Sequence, residues 1–255
     1  MLGSISMSEK LPYQTLLEGD LPPWVMRLVK ATGRAINRYS MIRDGDTILL
    51  GTSGGKDSLA LALALSLRKK WLPIDYTLKA VMINWKEHPI PEEFREKLAV
   101  FFTELGYAFH IVDEEQRPPS FKGEFNCYLC SRNRRRILFD WAENEGIVKI
   151  ALGHHLDDLV ETSLINLCFR GSFDTMKPVQ PFFNGKIQVI RPMIEIHERQ
   201  IQRLSEIYDL PVIKPVCPYD RTNIRSKLKP IVRSLVKIDP LTREHIYKAH
   251  HFLDD

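Results

Sequence analysis

The chain of 255 residues is long enough for one large domain, or one domain with a small appendage. Its 44% apolar and 27% charged residues are ordinary for a soluble globular protein, and no apolar run could span a bilayer, so no membrane partner is expected. The net charge of +4 is modest, yet Arg132, Arg134, Arg135 and Arg136 fall within five residues, and Arg221, Arg225, Lys227, Lys229, Arg233 and Lys237 crowd the C-terminal third. Such clusters suit either a phosphate backbone or a solvated helix face. The opening stretch MLGSISMSEKLPYQ lacks the basic and apolar regions of a secretory leader, which points to a cytoplasmic protein.

Apolar positions Val25, Leu28, Val29, Ala35, Ile36 and Tyr39 predict an amphipathic helix over 21–39, starting near Pro23. RDGD makes a turn and TILLG a buried strand. Residues 58–70 alternate Leu and Ala with period two, but their Ala content and lack of β-branching favour a buried helix. Strands are predicted at 78–85, 107–113, 148–153 and 186–193, and helices at 91–106, 131–146, 157–171 and 195–210. This alternation specifies an α/β fold, a doubly wound parallel sheet covered on both faces. Three segments follow: an N-terminal extension and helix over 1–45, the main α/β domain carrying the C-x-x-C over 46–210, and a Pro-broken, basic, at best helical appendage with Cys217 over 211–255.

The first chemical signal is GTSGGKDS at 51–58, between the first strand and its helix. It is no Walker loop, because Leu50 stands where the first Gly is required, and the dinucleotide fingerprint fails as well. The parts of an anion cradle are nonetheless present. Gly54 and Gly55 permit close backbone approach, Ser53 and Ser58 add hydroxyls, Lys56 adds charge, and a helix N-terminus follows.

The second signal is the cysteines. A reducing compartment keeps thiols from pairing in a disulfide framework, so Cys127-x-x-Cys130 points to metal or redox chemistry. The pair sits at or before a helix start among arginines, a setting that favours thiolates, which iron–sulfur clusters need. Cys217 is the natural third ligand, whereas Cys168 falls on the apolar pattern of its helix and is expected in the core. A structural zinc is the second choice of metal, but no fourth ligand stands at a suitable spacing. The third signal is GHHLDD at 153–158, at a strand end and helix start. Asp157 and Asp158 are candidates for holding Mg²⁺ or acting on a base, Gly153 for allowing nucleotide approach, and Asp57 is another candidate for Mg²⁺.

The run SGGKDS resembles the signature of the PP-loop, or N-type, ATP pyrophosphatases. The stretches CxxCSRxRRxIL and KIALGHHxDD, with NRYSMIRDGD and VIRP, narrow the resemblance to the tRNA 2-thiocytidine synthetases over about Leu28 to Arg233. That resemblance implies ATP bound at Gly51, Ser53, Gly54, Gly55, Lys56, Asp57 and Ser58, with Ile83 meeting adenine through its backbone and Gly153 nearby. It implies catalytic roles for Lys56, Asp57, Asp157 and Asp158, Mg²⁺ as cofactor, and a [4Fe–4S] cluster on Cys127, Cys130 and Cys217. The family usually carries a second C-x-x-C where this chain has Cys217 followed by Pro218. The expected partners are tRNA and a sulfur donor, either a cysteine desulfurase or sulfide, and a homodimer is compatible. The implied reaction adenylylates a pyrimidine C2 oxygen, in an anticodon-loop cytidine, and replaces it with sulfur. Uridine thiolation and sulfur-independent ligation, as in tRNA lysidine synthetase, are the alternatives. The first ordinarily brings terminal zinc-finger cysteines, and the second leaves the three cysteines unexplained.

Overall fold

A computed structural model describes residues 10–70, 74–117, 126–213 and 224–252. In chain order the elements are α1 (Gln14–Glu18), α2 (Pro23–Arg38), β1 (Thr47–Thr52), α3 (Lys56–Lys69), β2 (Thr77–Trp85), α4 (Glu92–Glu104) and β3 (Ala108–Glu114). Then come α5 (Cys127–Asn144), β4 (Lys149–Ala151), α6 (Leu156–Arg170), β5 (Val179–Phe182), β6 (Ile187–Ile190), α7 (Glu198–Ile207), α8 (Ile224–Ile238) and α9 (Thr242–Lys248). The six strands form one sheet in the order β3-β2-β1-β4-β6-β5.

The chain builds outward from β1 through β2 to β3, then returns to lay β4 on the other side of β1. Ile48, Leu49 and Leu50 of β1 pair in parallel with Lys149, Ile150 and Ala151 of β4. The strand order therefore reverses between β1 and β4, and a crevice opens beyond their carboxyl ends. The segments leaving those two ends are the SGGKDS loop and GHHLDD.

Alternation along the strands divides the interior. Ile48, Leu50, Ala80 and Met82 enter the core shared with α2, α3, α4, α6 and α7. Leu49, Val81, Ile83, Ile150 and Val189 face Ile137, Leu138 and Phe139 of α5. Each face of the sheet is covered, so both phases of the period-two pattern are apolar. Within the first core α3 is enclosed all round: Leu59 through Leu65 are each at most 1% exposed. This is why its Leu/Ala run shows no helical stripe.

Four departures from the sequence reading have physical causes. The α/β sheet is parallel except for β5, which pairs antiparallel with β6 at an edge. Its four residues include Pro181, which only an edge strand tolerates, and local pattern gave no strand there. Helix α5 starts at Cys127 rather than 131, because the Asn126 side chain accepts from Leu129 N–H at 3.1 Å and caps it. Helix α7 starts at Glu198 rather than 195, with His197 and Gln200 forming a capping box. Finally, α8 runs through Pro230 instead of breaking there, with Leu228 and Val232 buried one turn apart.

Candidate functional site

Gly55 is the N-cap of α3, so Lys56 and Asp57 occupy its first turn, where the backbone amides and the helix dipole favour anions. Gly54 has φ +72°, a left-handed conformation that glycine adopts without cost. The loop is braced from within. Thr52 Oγ1 accepts from Gly54 N–H at 3.1 Å and lies 3.0 Å from Ser58 Oγ, which donates to the Gly55 carbonyl at 2.9 Å. Ser58 is thus buried as a brace, whereas Ser53 is exposed at the loop tip.

Two other glycines serve packing. A Cβ on Gly51 would meet the Leu138 and Leu152 side chains at 2.9 and 3.0 Å. A Cβ on Gly153 would lie 2.9 Å from the Asp57 carbonyl group and the Ser58 nitrogen. The end of β4 therefore rests directly on the backbone that carries the phosphate loop. Gly153→Ala is expected to displace the first turn of α3, lowering stability by about 1–3 kcal/mol and weakening ATP binding at least tenfold. Thermal denaturation with and without Mg·ATP measures both effects.

Lys56 Nζ donates to Asp57 Oδ1 at 2.8 Å and to Glu198 Oε1 at 3.1 Å. Burial would lower the Lys56 ammonium, but Asp57 and Glu198 outweigh it and hold it above its ordinary value. Glu198, at the first position of α7, also receives Lys229 from α8 at 3.1 and 3.2 Å. Against the opposing effect of burial, Lys56 and Lys229 draw its carboxyl down to about 2.

The GHHLDD residues form the opposite wall. His155 is 3% exposed and caps α6 by accepting from Asp158 N–H at 3.4 Å, while Asp158 Oδ2 accepts from His155 N–H at 3.1 Å. Asp158 Oδ1 also meets Arg225 Nη1 of α8 at 3.2 Å. Both oxygens of Asp157 are engaged, Oδ1 by Arg243 Nε of α9 at 2.5 Å and Oδ2 by Glu198 N–H at 2.7 Å. One turn on, burial raises the Glu161 carboxyl to about 7. Ile83 is buried in β2 opposite Val112 of β3, its side chain in the core beneath α5.

Cys127 and Cys130 lie three residues apart on the first turn of α5, which puts their side chains on one face. Cys127 is exposed and Cys130 partly buried, and Gln116 Nε2 donates to Cys130 Sγ at 3.2 Å. Gln116 follows β3 by two residues, so this pair belongs to the same carboxyl edge of the sheet as the loop. Cys217 lies outside the described residues, and among those residues no three His, Cys, Asp or Glu converge to hold a metal. Cys168 contradicts the core expectation: it is exposed, as are Leu167 and Phe169. The buried stripe of α6 runs through Leu156, Leu159, Val160 and Ser163 to Asn166, and its last turn leaves the core.

Glu198 and Arg243, which with Lys229 and Arg225 tie α7, α8 and α9 to the cleft, carry no local sign of that role in the sequence. Lys229 and Arg225 stand in plain view in a basic cluster, but nothing local names their acidic partners. No helix among the described residues is long and apolar enough to cross a membrane.

Comparison with known proteins agrees with this geometry. The PP-loop domain family matches residues 28–232. The tRNA-cytidine(32) 2-sulfurtransferase of Burkholderia multivorans is 36% identical over 229 residues, covering 88% of this chain and 68% of the relative. Its counterpart in Pseudomonas syringae pv. syringae is 34% identical over 228 residues, covering 88% and 82%. Among solved structures, the U34-tRNA thiolase NcsA of Methanococcus maripaludis, determined with its [4Fe-4S] cluster, has the same fold. It superposes with a TM-score of 0.74 at 24% identity, covering 90% of this chain and 78% of that one. A phosphate loop, a cysteine pair and a paired-aspartate wall on one sheet edge, within sequences this similar, place the chain in the PP-loop family, among the tRNA-cytidine 2-sulfurtransferases.

Proposed function

We propose that the protein is an ATP-dependent tRNA sulfurtransferase that activates the C2 oxygen of an anticodon-loop cytidine and replaces it with sulfur. The observation that carries this reading is the placement of two chemistries at one edge. The SGGKDS loop leaves the carboxyl end of β1, and the cysteine pair opens α5 just beyond the carboxyl end of β3. A nucleotide-binding ligase needs only the first. The choice of cytidine rests on relatives at 34–36% identity that act on that base.

In the first step the C2 oxygen attacks the α-phosphorus of ATP and pyrophosphate leaves. The α3 N-terminus and Lys56 hold the departing anion and stabilise the charge it gains. Adenylylation is required because an amide-like carbonyl oxygen is a poor leaving group, whereas AMP is a good one. A sulfur nucleophile then takes the place of AMP at C2. Asp57 is the best-placed carboxylate for Mg²⁺: its Oδ2 has no partner among the described residues, whereas Asp157 and Asp158 are bound into the wall. We therefore assign Asp157 and Asp158 the task of holding Glu198, α8 and α9 in place around the reactants.

The donor set at α5 fits an iron–sulfur cluster: two sulfurs on one helical face, one partly buried and hydrogen-bonded by Gln116, which is how such ligands are oriented. Cys127 and Cys130 would hold it with Cys217, and an iron not taken by cysteine would supply a place to keep sulfur near C2. Sulfide, supplied directly or released by a thiol reductant from the persulfide of a cysteine desulfurase, is the source of that sulfur. The exposed arginines Arg132, Arg134 and Arg135 on α5 are placed to meet tRNA phosphates.

Anaerobic incubation with unmodified tRNA, Mg·ATP and sulfide tests this reading. The expected products are AMP, pyrophosphate and 2-thiocytidine in the tRNA digest. Absence of tRNA-dependent AMP formation from iron-loaded protein would overturn it, and 2-thiouridine in place of 2-thiocytidine would reassign the base.

A further inference from the structure

The two neighbouring histidines at the end of β4 face different partners. The chain is extended at His155, with φ −127° and ψ −179°, so consecutive side chains point to opposite sides. His155 turns Nε2 to the carboxylates of Asp57 and Asp158, 3.6 and 3.4 Å away. That is the nucleotide side. His154 meets Arg191, which follows β6, in a field shared by Arg135 of α5 and Arg225 of α8. That is the side of the cysteine helix.

Arg191 decides the chemical form of His154. Its Nε–H donates to His154 Nδ1 at 3.3 Å, and its other nitrogens are held by the Lys177 carbonyl and by Gln180 Oε1. Burial draws Arg191 down only to about 10, so it remains a cation and a pure donor. His154 Nδ1 must then be the unprotonated nitrogen, and the proton of the neutral ring sits on Nε2. Burial first, and then the charges of Arg191 and Arg225, push this imidazole down to about 3, so it stays neutral at physiological pH. Nε2 has no hydrogen-bond partner among the described residues, and His154 is only partly buried. The result is a neutral, unpaired donor of fixed orientation at the end of β4, on the side that Arg135 of the cysteine helix shares.

We propose that His154 Nε2–H is a catalytic hydrogen-bond donor to the pyrimidine C2 oxygen, the atom that first joins phosphorus and later departs with AMP. The inference rests on the thiolation reading. In the first step the bond from that oxygen to the α-phosphorus forms, and the bond from phosphorus to the pyrophosphate oxygen breaks. In the second, hydrosulfide adds to C2 and gives its proton to water, and the C2–O bond breaks with its electron pair leaving on AMP. The proton stays on Nε2 throughout. Its task is to stabilise charge on the departing oxygen, which a neutral imidazole can do without competing to protonate it.

The test pairs nitrogen-15 NMR of the histidine rings with single-turnover thiolation by His154→Phe and His154→Gln, using tRNA, Mg·ATP and sulfide. We expect His154 as the Nε2–H form at pH 7. His154→Phe should lower thionucleoside formation by about 10²–10³-fold, with the KM for ATP within about threefold of wild type. His154→Gln, whose amide can donate from a similar position, should recover at least tenfold of that loss. Circular dichroism melts verify that both variants fold, and the NMR arm stands if either does not. An Nδ1–H ring, an imidazolium, or a His154→Phe variant at the wild-type rate overturns the assignment. Wild-type protein that forms no AMP with tRNA would overturn the thiolation reading itself, an outcome distinct from an active wild type indifferent to the substitution.

Discussion

Cys127→Ala and Cys130→Ala should each lower thionucleoside formation to less than about a hundredth of wild type, since disturbing merely an outer partner of a metal ligand already costs 10–100-fold. An alanine cannot ligate, and the two sulfurs share one face of the first turn of α5, so neither can stand in for the other. The fold should survive both changes, because Cys127 is exposed and Cys130 only partly buried. Iron content and visible absorption should fall together with activity. Nucleotide binding should not, since the loop stands on β1 and α3. Cys168→Ala supplies the control: its side chain is exposed at the far end of α6 and should leave thiolation unchanged. Full activity in Cys127→Ala or Cys130→Ala would remove the cluster from the mechanism. The same expectation attaches to Cys217→Ala through the family resemblance.

Lys56→Ala should lower tRNA-dependent pyrophosphate release by about 10²–10³-fold, the usual effect of removing one preorganised donor from developing negative charge. The loss should fall mainly on kcat, because the charge that Lys56 meets grows as pyrophosphate departs. Lys56→Arg should restore little. A planar fork cannot take the place of a compact ammonium that touches Asp57 at 2.8 Å and Glu198 at 3.1 Å together. Stability should change little, since this first-turn side chain is 28% exposed. Steady-state pyrophosphate release with saturating tRNA separates the two parameters, and a Lys56→Ala kcat within threefold of wild type would remove Lys56 from the pyrophosphate site.

The fold and the local runs of the candidate site are legible in the sequence. Strand and helix periods located the sheet, and the loop, the cysteine pair and GHHLDD are local runs whose spacing is itself the signal. What escaped detection is non-local or atypical. Glu198 meets Lys56 across a separation of 142 residues, and Arg243 meets Asp157 across 86, distances at which no pattern in the chain pairs an acid with a base. The strand at 179–182 is four residues long and contains a proline, so its identity comes from the neighbour it pairs with rather than from its own residues. Cys168 misled because Leu164, Ile165 and Leu167 look like a core stripe; that reading ignored where the helix outruns the sheet.

The ion pairs around the cleft also bear on how the two polyanionic reactants are attracted. Asp57, Asp157, Asp158 and Glu198 supply four negative charges, and Lys56, Arg225, Lys229 and Arg243 supply four positive ones, so this group sums to zero. Charges already paired in this way exert little pull beyond contact range, so this group recognises ATP by fit at close quarters. The surplus of positive charge lies outside it, on exposed arginines such as Arg132, Arg134 and Arg135. Attraction at a distance is therefore directed at the nucleic acid, and added salt, which screens distant charges far more than close pairs, should loosen the tRNA long before it loosens the nucleotide.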